Sequence, residues 1–213
     1  MIRQYRELEQ DEFFVVSGDC AQGGIDSNIV QVMSKDRADV PIVLEQSGVA
    51  AGMTPILHTL LEYIYDVTGV QPVVALERNM GGASEMERLR KMNMTNKYRL
   101  YTAKDTGGVN GEKNTKILGY STNSVTRPKM LGELKEAIDA KQLTIYDKKT
   151  VEELGTFIVN RNGKPEAAAN THDDHVMSLA IAWQLYQTEQ KPDSTYGTGS
   201  YINEQNDITR LWT

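Results

Sequence analysis

Four carboxylates stand where carboxylates are costly. Asp19 closes the apolar run FFVVSGD, Glu77 closes the near-continuous run PVVALE, and Asp173 and Asp174 open the segment THDDHVMSLAIAW. Strand ends and helix starts along one edge of an α/β sheet tend to open on a shared crevice. Carboxylates gathered there repel one another and raise each other's pKa. A hard divalent cation removes that cost, and Mg²⁺ or Mn²⁺ accepts carboxylate oxygens and water. The positive end of a helix starting at Asp173–Asp174 favours their ionised forms. An all-carboxylate centre with open water positions suits two-metal phosphodiester hydrolysis, with the ions about 3.5–4 Å apart and no covalent nucleophile.

Each acid taken alone also has an ordinary reading. Asp19 precedes the Gly23–Gly24 pair and can cap a turn. Glu77 can pair with Arg78 or Arg88. Thr171 with Asp174 matches a capping box. The three positions together, in the order strand end, buried strand end, helix start, argue for one centre.

The elements that must position these acids follow from hydrophobic periodicity. Residues 12–17, 28–33 and 40–46 read as three strands joined by short polar turns, an antiparallel meander. The period then changes. Ile56, Leu57, Leu60, Leu61 and Ile64 recur at helical spacing over 52–69, with Thr54–Pro55 as the start and Gly69 as the stop. Residues 72–77 form a strand buried on both faces, 83–93 a second helix and 98–103 another strand. The stretch 104–116, rich in Gly, Asn and Lys, reads as a loop or two-stranded flap. A helix over 127–141 carries Leu131, Leu134 and Ile138. A short strand TIYD and a short mixed element at 150–158 follow. The last helix spans 171–189, with Val176, Leu179, Ala180 and Trp183 on one face. The fold class is therefore α/β: a mixed central sheet, meander first and parallel strands after, flanked by helices. A polar tail beyond residue 190 reads as flexible.

The composition sets limits. With 213 residues, 39% hydrophobic and 24% charged, the chain supports one domain with a full core. The net charge of −6 argues against nucleic-acid binding by bulk charge but allows a local basic rim around an acidic centre. Candidates for that rim are Lys104, Lys113 and Lys116 on the flap, and Arg127 and Lys129 further on; solvated loop charge is the competing reading. The charged N-terminus is no secretory signal, and no run is long enough to span a membrane. Cys20, the single cysteine, cannot form an internal disulfide and reads as a small buried filler. His172 and His175 flank the acid pair as auxiliary ligands or proton carriers, or as plain helix-surface histidines. Asn79 is a candidate to orient Glu77 or to hold a water beside it, with a plain loop residue as the competing reading.

The order of the acids resembles that of the RNase H-like nucleases. The segments SGDCAQGGIDSNIVQV, VVALERNMGG, GYSTNSVTRPKMLGEL and THDDHVMSLAIAW together resemble the nuclease domain of the large terminase subunit of tailed bacteriophages, over about residues 10–190. The resemblance implies an RNase H-like sheet and a metal-dependent endonuclease, Mg²⁺ or Mn²⁺ with two ions, acting on double-stranded DNA concatemers during genome packaging. It matches Asp19, Glu77 and the Asp173–Asp174 pair to the family's metal-binding acids, Asp174 the firmer of the pair. It further implies work in the cytoplasm of an infected bacterium, with the packaging ATPase domain, the small terminase subunit and the portal as partners, and no membrane. No GxxxxGK[ST] motif is present, and GGVNGEKNT at 107–115 fails at the lysine and hydroxyl positions. The expectation is one nuclease domain over 1–190, without the ATPase and monomeric when isolated. The alternatives are another RNase H-like enzyme, such as a junction resolvase or exonuclease, and a non-catalytic docking module of the packaging motor.

Overall fold

The computed structural model describes residues 1–21, 27–104, 116–159, 165–168 and 172–192. The meander is formed by β2 (Phe14–Asp19), β3 (Ser27–Ser34) and β4 (Asp39–Ser47), each antiparallel to the next. On the other side of β2, β5 (Val73–Leu76) runs parallel to it, and β6 (Arg99–Leu100) runs parallel to β5. The outer edge of β4 takes two short strands, β1 (Ile2–Gln4) antiparallel and β9 (Thr144–Ile145) parallel. A seven-stranded mixed sheet results, in the order β1-β4-β3-β2-β5-β6 with β9 beside β4. The expected order of meander and parallel strands is thus the one observed.

The sheet divides two cores, and side-chain alternation decides which residue joins which. Val15, Ile29, Met33, Val43, Val73 and Ala75 face the last helix, α5 (Asp174–Thr188), and α3 (Thr126–Asp139). Their neighbours Phe14, Val16, Val30, Val32, Val74 and Leu76 face α1 (Ala50–Thr68) and α2 (Gly82–Met92). This period of two on a sheet buried on both faces makes a three-layer α/β/α stack. Cys20 is buried within the second core, where burial pushes its thiol pKa well up. It is a packing residue, as expected.

Three boundaries depart from the sequence reading. Helix α1 starts at Ala50, after Val49, so Pro55 sits inside the helix and not in its first turn. Proline has no N–H for the carbonyl four residues earlier. That carbonyl belongs to Ala51, and Nη1 of Arg88 on α2 donates to it at 3.0 Å. A neighbouring helix thus supplies the donor that local sequence rules treat as missing. Gly69 does end α1, in the left-handed region with φ of 72°, its N–H donating to Tyr65 O at 2.7 Å. Second, α5 starts at Asp174 with Asp173 as N-cap, three residues later than the expected start at 171; Thr171 lies outside the described residues. Third, the mixed element is a helix, α4 (Lys148–Thr156), capped by Asp147 accepting from the Thr150 N–H at 2.8 Å, followed by β10 (Phe157–Val159). The single-faced stripe on α5 is also corrected. Every residue from His175 to Trp183 is buried, because the helix is packed between the sheet and helices α3 and α4.

Strand β10 pairs with β11 (Pro165–Ala167), and β7 (Thr102–Lys104) pairs antiparallel with β8 (Lys116–Leu118). The flap therefore leaves and re-enters as a two-stranded ribbon. The residues between β7 and β8, Lys113 included, lie outside the described residues, as do Gly23–Gly24 and the expected tail from 193 onward.

Candidate metal centre

The last residue of β2 is Asp19, and the residue after β5 is Glu77. These strands are parallel neighbours in which Gly18 sits opposite Leu76, so the two carboxylates leave adjacent strands at the same level. The Glu77 backbone is gripped from both sides. Its N–H donates to Gly18 O at 2.8 Å, while Tyr120 N donates to Leu76 O at 2.9 Å and Arg78 N to Tyr120 O at 2.8 Å. Behind it, Gly82 begins α2 so close that a Cβ there would lie 1.8 Å from the Glu77 carbonyl oxygen. Only glycine lets α2 start at that point.

The Glu77 side chain is 93% buried by residue exposure and its Oε1 is held twice: Nδ2 of Asn79 donates at 3.0 Å, and the Thr122 hydroxyl donates to the same oxygen. Asn79 also donates to Thr122 Oγ1 at 2.8 Å, closing a three-membered polar ring. Asn79 therefore touches Glu77 as the sequence suggested. Thr122 is new. It lies in the quoted GYSTNSVTRPKML segment, but nothing in its type or spacing singles it out.

Helix α5 is fixed over β2 and β3 by buried polar contacts. Ser17 Oγ donates to Ser178 O at 2.6 Å, Ser178 Oγ donates to Ser17 O at 3.1 Å, and Gln31 Nε2 donates to His175 O at 2.9 Å. The first turn of α5 thereby comes to the strand-end edge carrying Asp19. The electrostatics register this meeting. Burial raises the Asp19 carboxyl pKa well above its ordinary value. The Glu77 carboxylate, in hydrogen-bonding reach, raises it further, and Asp174 and then Asp173 add to the effect. Asp173 makes no cap bond to its own helix and instead pairs with Nη2 of Arg127 at 2.5 Å.

The structure thus sets Asp19 and Glu77 at adjacent strand ends, with Asp173 and Asp174 within electrostatic range of Asp19. Among the described residues, no three His, Cys, Asp or Glu side chains stand close enough to enclose one ion as placed. The donor chemistry still fits a hard divalent cation. The carboxylates are mutually repelling, one is forced toward its protonated form, and Asp173 is paired with Arg127.

No protein-family model matches the sequence, and no curated protein matches it. Solved structures do. The large terminase nuclease of thermophilic phage G20c, crystallised with magnesium, superposes with a TM-score of 0.57 at 17% identity, over 85% of this chain and 84% of that one. The large terminase nuclease domain of Thermus phage P74-26 gives 0.58 at 16% identity, over 88% and 85%. The human cytomegalovirus terminase nuclease domain, soaked in manganese with an inhibitor bound, gives 0.57 at 11% identity, over 81% and 82%. The chain has the fold of the terminase nuclease domains.

Within this terminase-nuclease fold, the other candidate residues divide. Lys104 and Lys116 occupy facing positions of the β7–β8 ribbon. Lys116 is exposed. Lys129 is exposed and lies 3.7 Å from Glu133, an ordinary surface pair one helical turn away, while Arg127 is engaged by Asp173. His172 is exposed. His175 is not a helix-surface histidine. It is buried, its Nδ1 lies 2.7 Å from Glu153 Oε1, and its backbone N–H donates to Glu153 Oε2 at 2.9 Å. Glu153 was not legible in the sequence, because the contact depends on α4 lying across the start of α5. A cleft of about 430 Å³ adjoins, lined by Ser27, Glu45, Lys149, Glu153, His172 and Asp174. Asp174 faces it, whereas Asp19 and Glu77 do not line it.

Proposed function

We propose that this chain is a metal-dependent nuclease that cleaves double-stranded DNA during packaging of a viral genome. The observation that carries the reading is the meeting of Asp19 and Glu77 at adjacent strand ends, in the field of Asp173 and Asp174. The shared fold supports it, since the similar structures are terminase nucleases, one with magnesium and one soaked in manganese.

In this reading Asp19, Glu77 and Asp174, with Asp173 in reserve, hold Mg²⁺ or Mn²⁺, as two ions. Bound there, the metal supplies an activated water and positive charge on the scissile phosphate and the leaving oxygen. The chain's own groups do the rest. Sheet hydrogen bonds fix the Glu77 backbone, Asn79 and Thr122 fix one carboxylate oxygen, and the packed start of α5 presents Asp174. Lys104 and Lys116 on the ribbon, Lys113 from the segment outside the described residues, and Arg127 and Lys129 at the start of α3 contact DNA phosphates and set register without reading sequence. The setting is the cytoplasm of an infected bacterium. Partners are duplex DNA and, within a packaging motor, an ATPase domain, a small terminase subunit and a portal. Among the described residues, no helix is long and apolar enough to cross a membrane.

The test uses the purified chain with supercoiled plasmid. With Mn²⁺, nicked and then linear forms should accumulate, and EDTA should stop them. Linear duplex should be cut as readily as a four-way junction or an RNA–DNA hybrid. Preference for the junction would point to a resolvase. Plasmid left intact at every metal concentration would leave the non-catalytic docking module.

A further inference from the structure

Arg127 makes an unusual bond for a residue at the start of a helix next to a DNA-cutting centre. Its Nη2 is 2.5 Å from Asp173 Oδ2, and both side chains are about one-third exposed, at 30% and 31%. Asp173 is the N-cap of α5, and an N-cap aspartate ordinarily accepts an N–H from its own first turn. Here the carboxylate leaves that N–H and turns to Arg127. The pairing is incomplete on the arginine side: Nε is buried and has no hydrogen-bond partner among the described residues. Arg127 also stands in the TNSVTR loop-to-helix segment whose other end, Thr122, grips Glu77. Asn123 ties that segment together, its Oδ1 accepting from Val125 N at 2.8 Å and Thr126 N at 2.9 Å.

We propose that Arg127 is a positioning residue that exchanges partners. Without DNA its guanidinium holds Asp173 out of the carboxylate cluster and cancels part of the repulsion there. When duplex binds, the guanidinium moves to a backbone phosphate, and Asp173 is released toward the metal. Phosphate and carboxylate suit the same planar fork of donors, so the exchange replaces one charge-assisted pair with another. Metal binding and DNA binding then favour each other, because coupling between two sites is reciprocal. The inference rests on the nuclease reading above, since it needs Asp19 and Glu77 to hold metal.

The experiment is a double-mutant cycle on the full chain, with two binding readouts and no turnover. The first is duplex binding in EDTA, followed by fluorescence anisotropy of a labelled 20-base-pair duplex. Asp173→Asn should tighten binding, because Arg127 no longer has to leave a carboxylate. Arg127→Gln should weaken it, and the gain from Asp173→Asn should shrink several-fold on the Arg127→Gln background. The second is calorimetric titration with Mn²⁺ alone. Arg127→Gln should bind it about fivefold or more tightly than the parent, within the usual range of such couplings, and adding Asp173→Asn should remove the gain. Arg127→Lys, which keeps the charge and loses the fork, should fall between parent and Arg127→Gln in both readouts, and it carries the test if Arg127→Gln does not fold. Equal or weaker Mn²⁺ binding by folded Arg127→Gln, or additive effects on DNA affinity, overturns the exchange. If parent and Asp19→Asn bind Mn²⁺ alike, the metal-centre reading itself fails, a result distinguishable from failure of the exchange.

Discussion

The hydroxyl of Thr122 donates to Oε1 of Glu77, across 45 residues of chain. Asn79 donates to the same oxygen from two residues away. A carboxylate so held offers its remaining lone pairs in a fixed direction, which is what a metal ligand needs. Thr122→Val keeps shape and volume but removes the donor. The expected outcome is a fall in kcat of about tenfold or more with KM little changed, and recovery toward the parent in Thr122→Ser. Steady-state cleavage of a fluorescent duplex measures both constants.

The close approach of α2 to the strand end gives a sharper test. A methyl at position 82 would meet the Glu77 backbone carbonyl oxygen at 1.8 Å, a group that cannot swing aside as a side chain could. Gly82→Ala must therefore push α2 away or tilt Glu77. We expect a loss of about 2 kcal/mol or more in urea unfolding, with a loss of cleavage beyond what stability explains. An unchanged midpoint would mean that the helix start is looser than its contacts indicate.

Asp147, whose Oδ2 lies 3.9 Å from His175 Nε2, sets an acid limit on stability. It is buried, caps α4, and accepts from Arg3 Nε at 2.7 Å and Tyr5 Oη at 2.5 Å. Burial alone would raise its pKa, but bonds from Tyr5, Arg3 and Thr150 outweigh it and bring it to about 2. The folded-state value lies below the unfolded one, so this stability is present above about pH 4 and is lost as pH falls toward 2. Asp147→Asn should cost about 2 kcal/mol at pH 7. The gap should close as denaturation midpoints are followed down to pH 2.5.

The repulsion at the centre predicts the opposite sign. Asp19 is pressed by burial and by three neighbouring carboxylates. In EDTA at pH 7, Asp19→Asn should melt a few degrees above the parent, because a buried carboxyl that folding pushes toward protonation gives way to a neutral amide. Added Mn²⁺ should stabilise the parent and leave the variant unmoved.

Much of this was legible in the chain before the coordinates. The continuous apolar runs in FFVVSGD and PVVALE marked the strands that end on Asp19 and Glu77, and the helical stripe at 56–64 marked α1. What escaped was set by contacts between distant segments. Pro55 read as a helix start because a proline in a helix interior leaves a carbonyl orphaned; Arg88, 37 residues from Ala51, supplies the partner. Helix α5 read as one-sided because its burial on the other side depends on where α3 and α4 pack. Thr122 and Glu153 act through hydrogen bonds between distant segments that no spacing rule encodes. Arg127 read as a phosphate contact from its charge, and its hold on Asp173 became visible only once α3 and α5 were placed side by side.

The account depends on Asp19 acting as a metal ligand, and one rate measures that: linearisation of supercoiled plasmid in Mn²⁺ by the parent and by Asp19→Asn at matched concentration. The predicted result is a fall of about a thousandfold, equivalent to about 4 kcal/mol of barrier, in a variant that keeps its melting transition. A variant that cuts within about threefold of the parent, a difference of under 1 kcal/mol, would contradict the assignment of the centre.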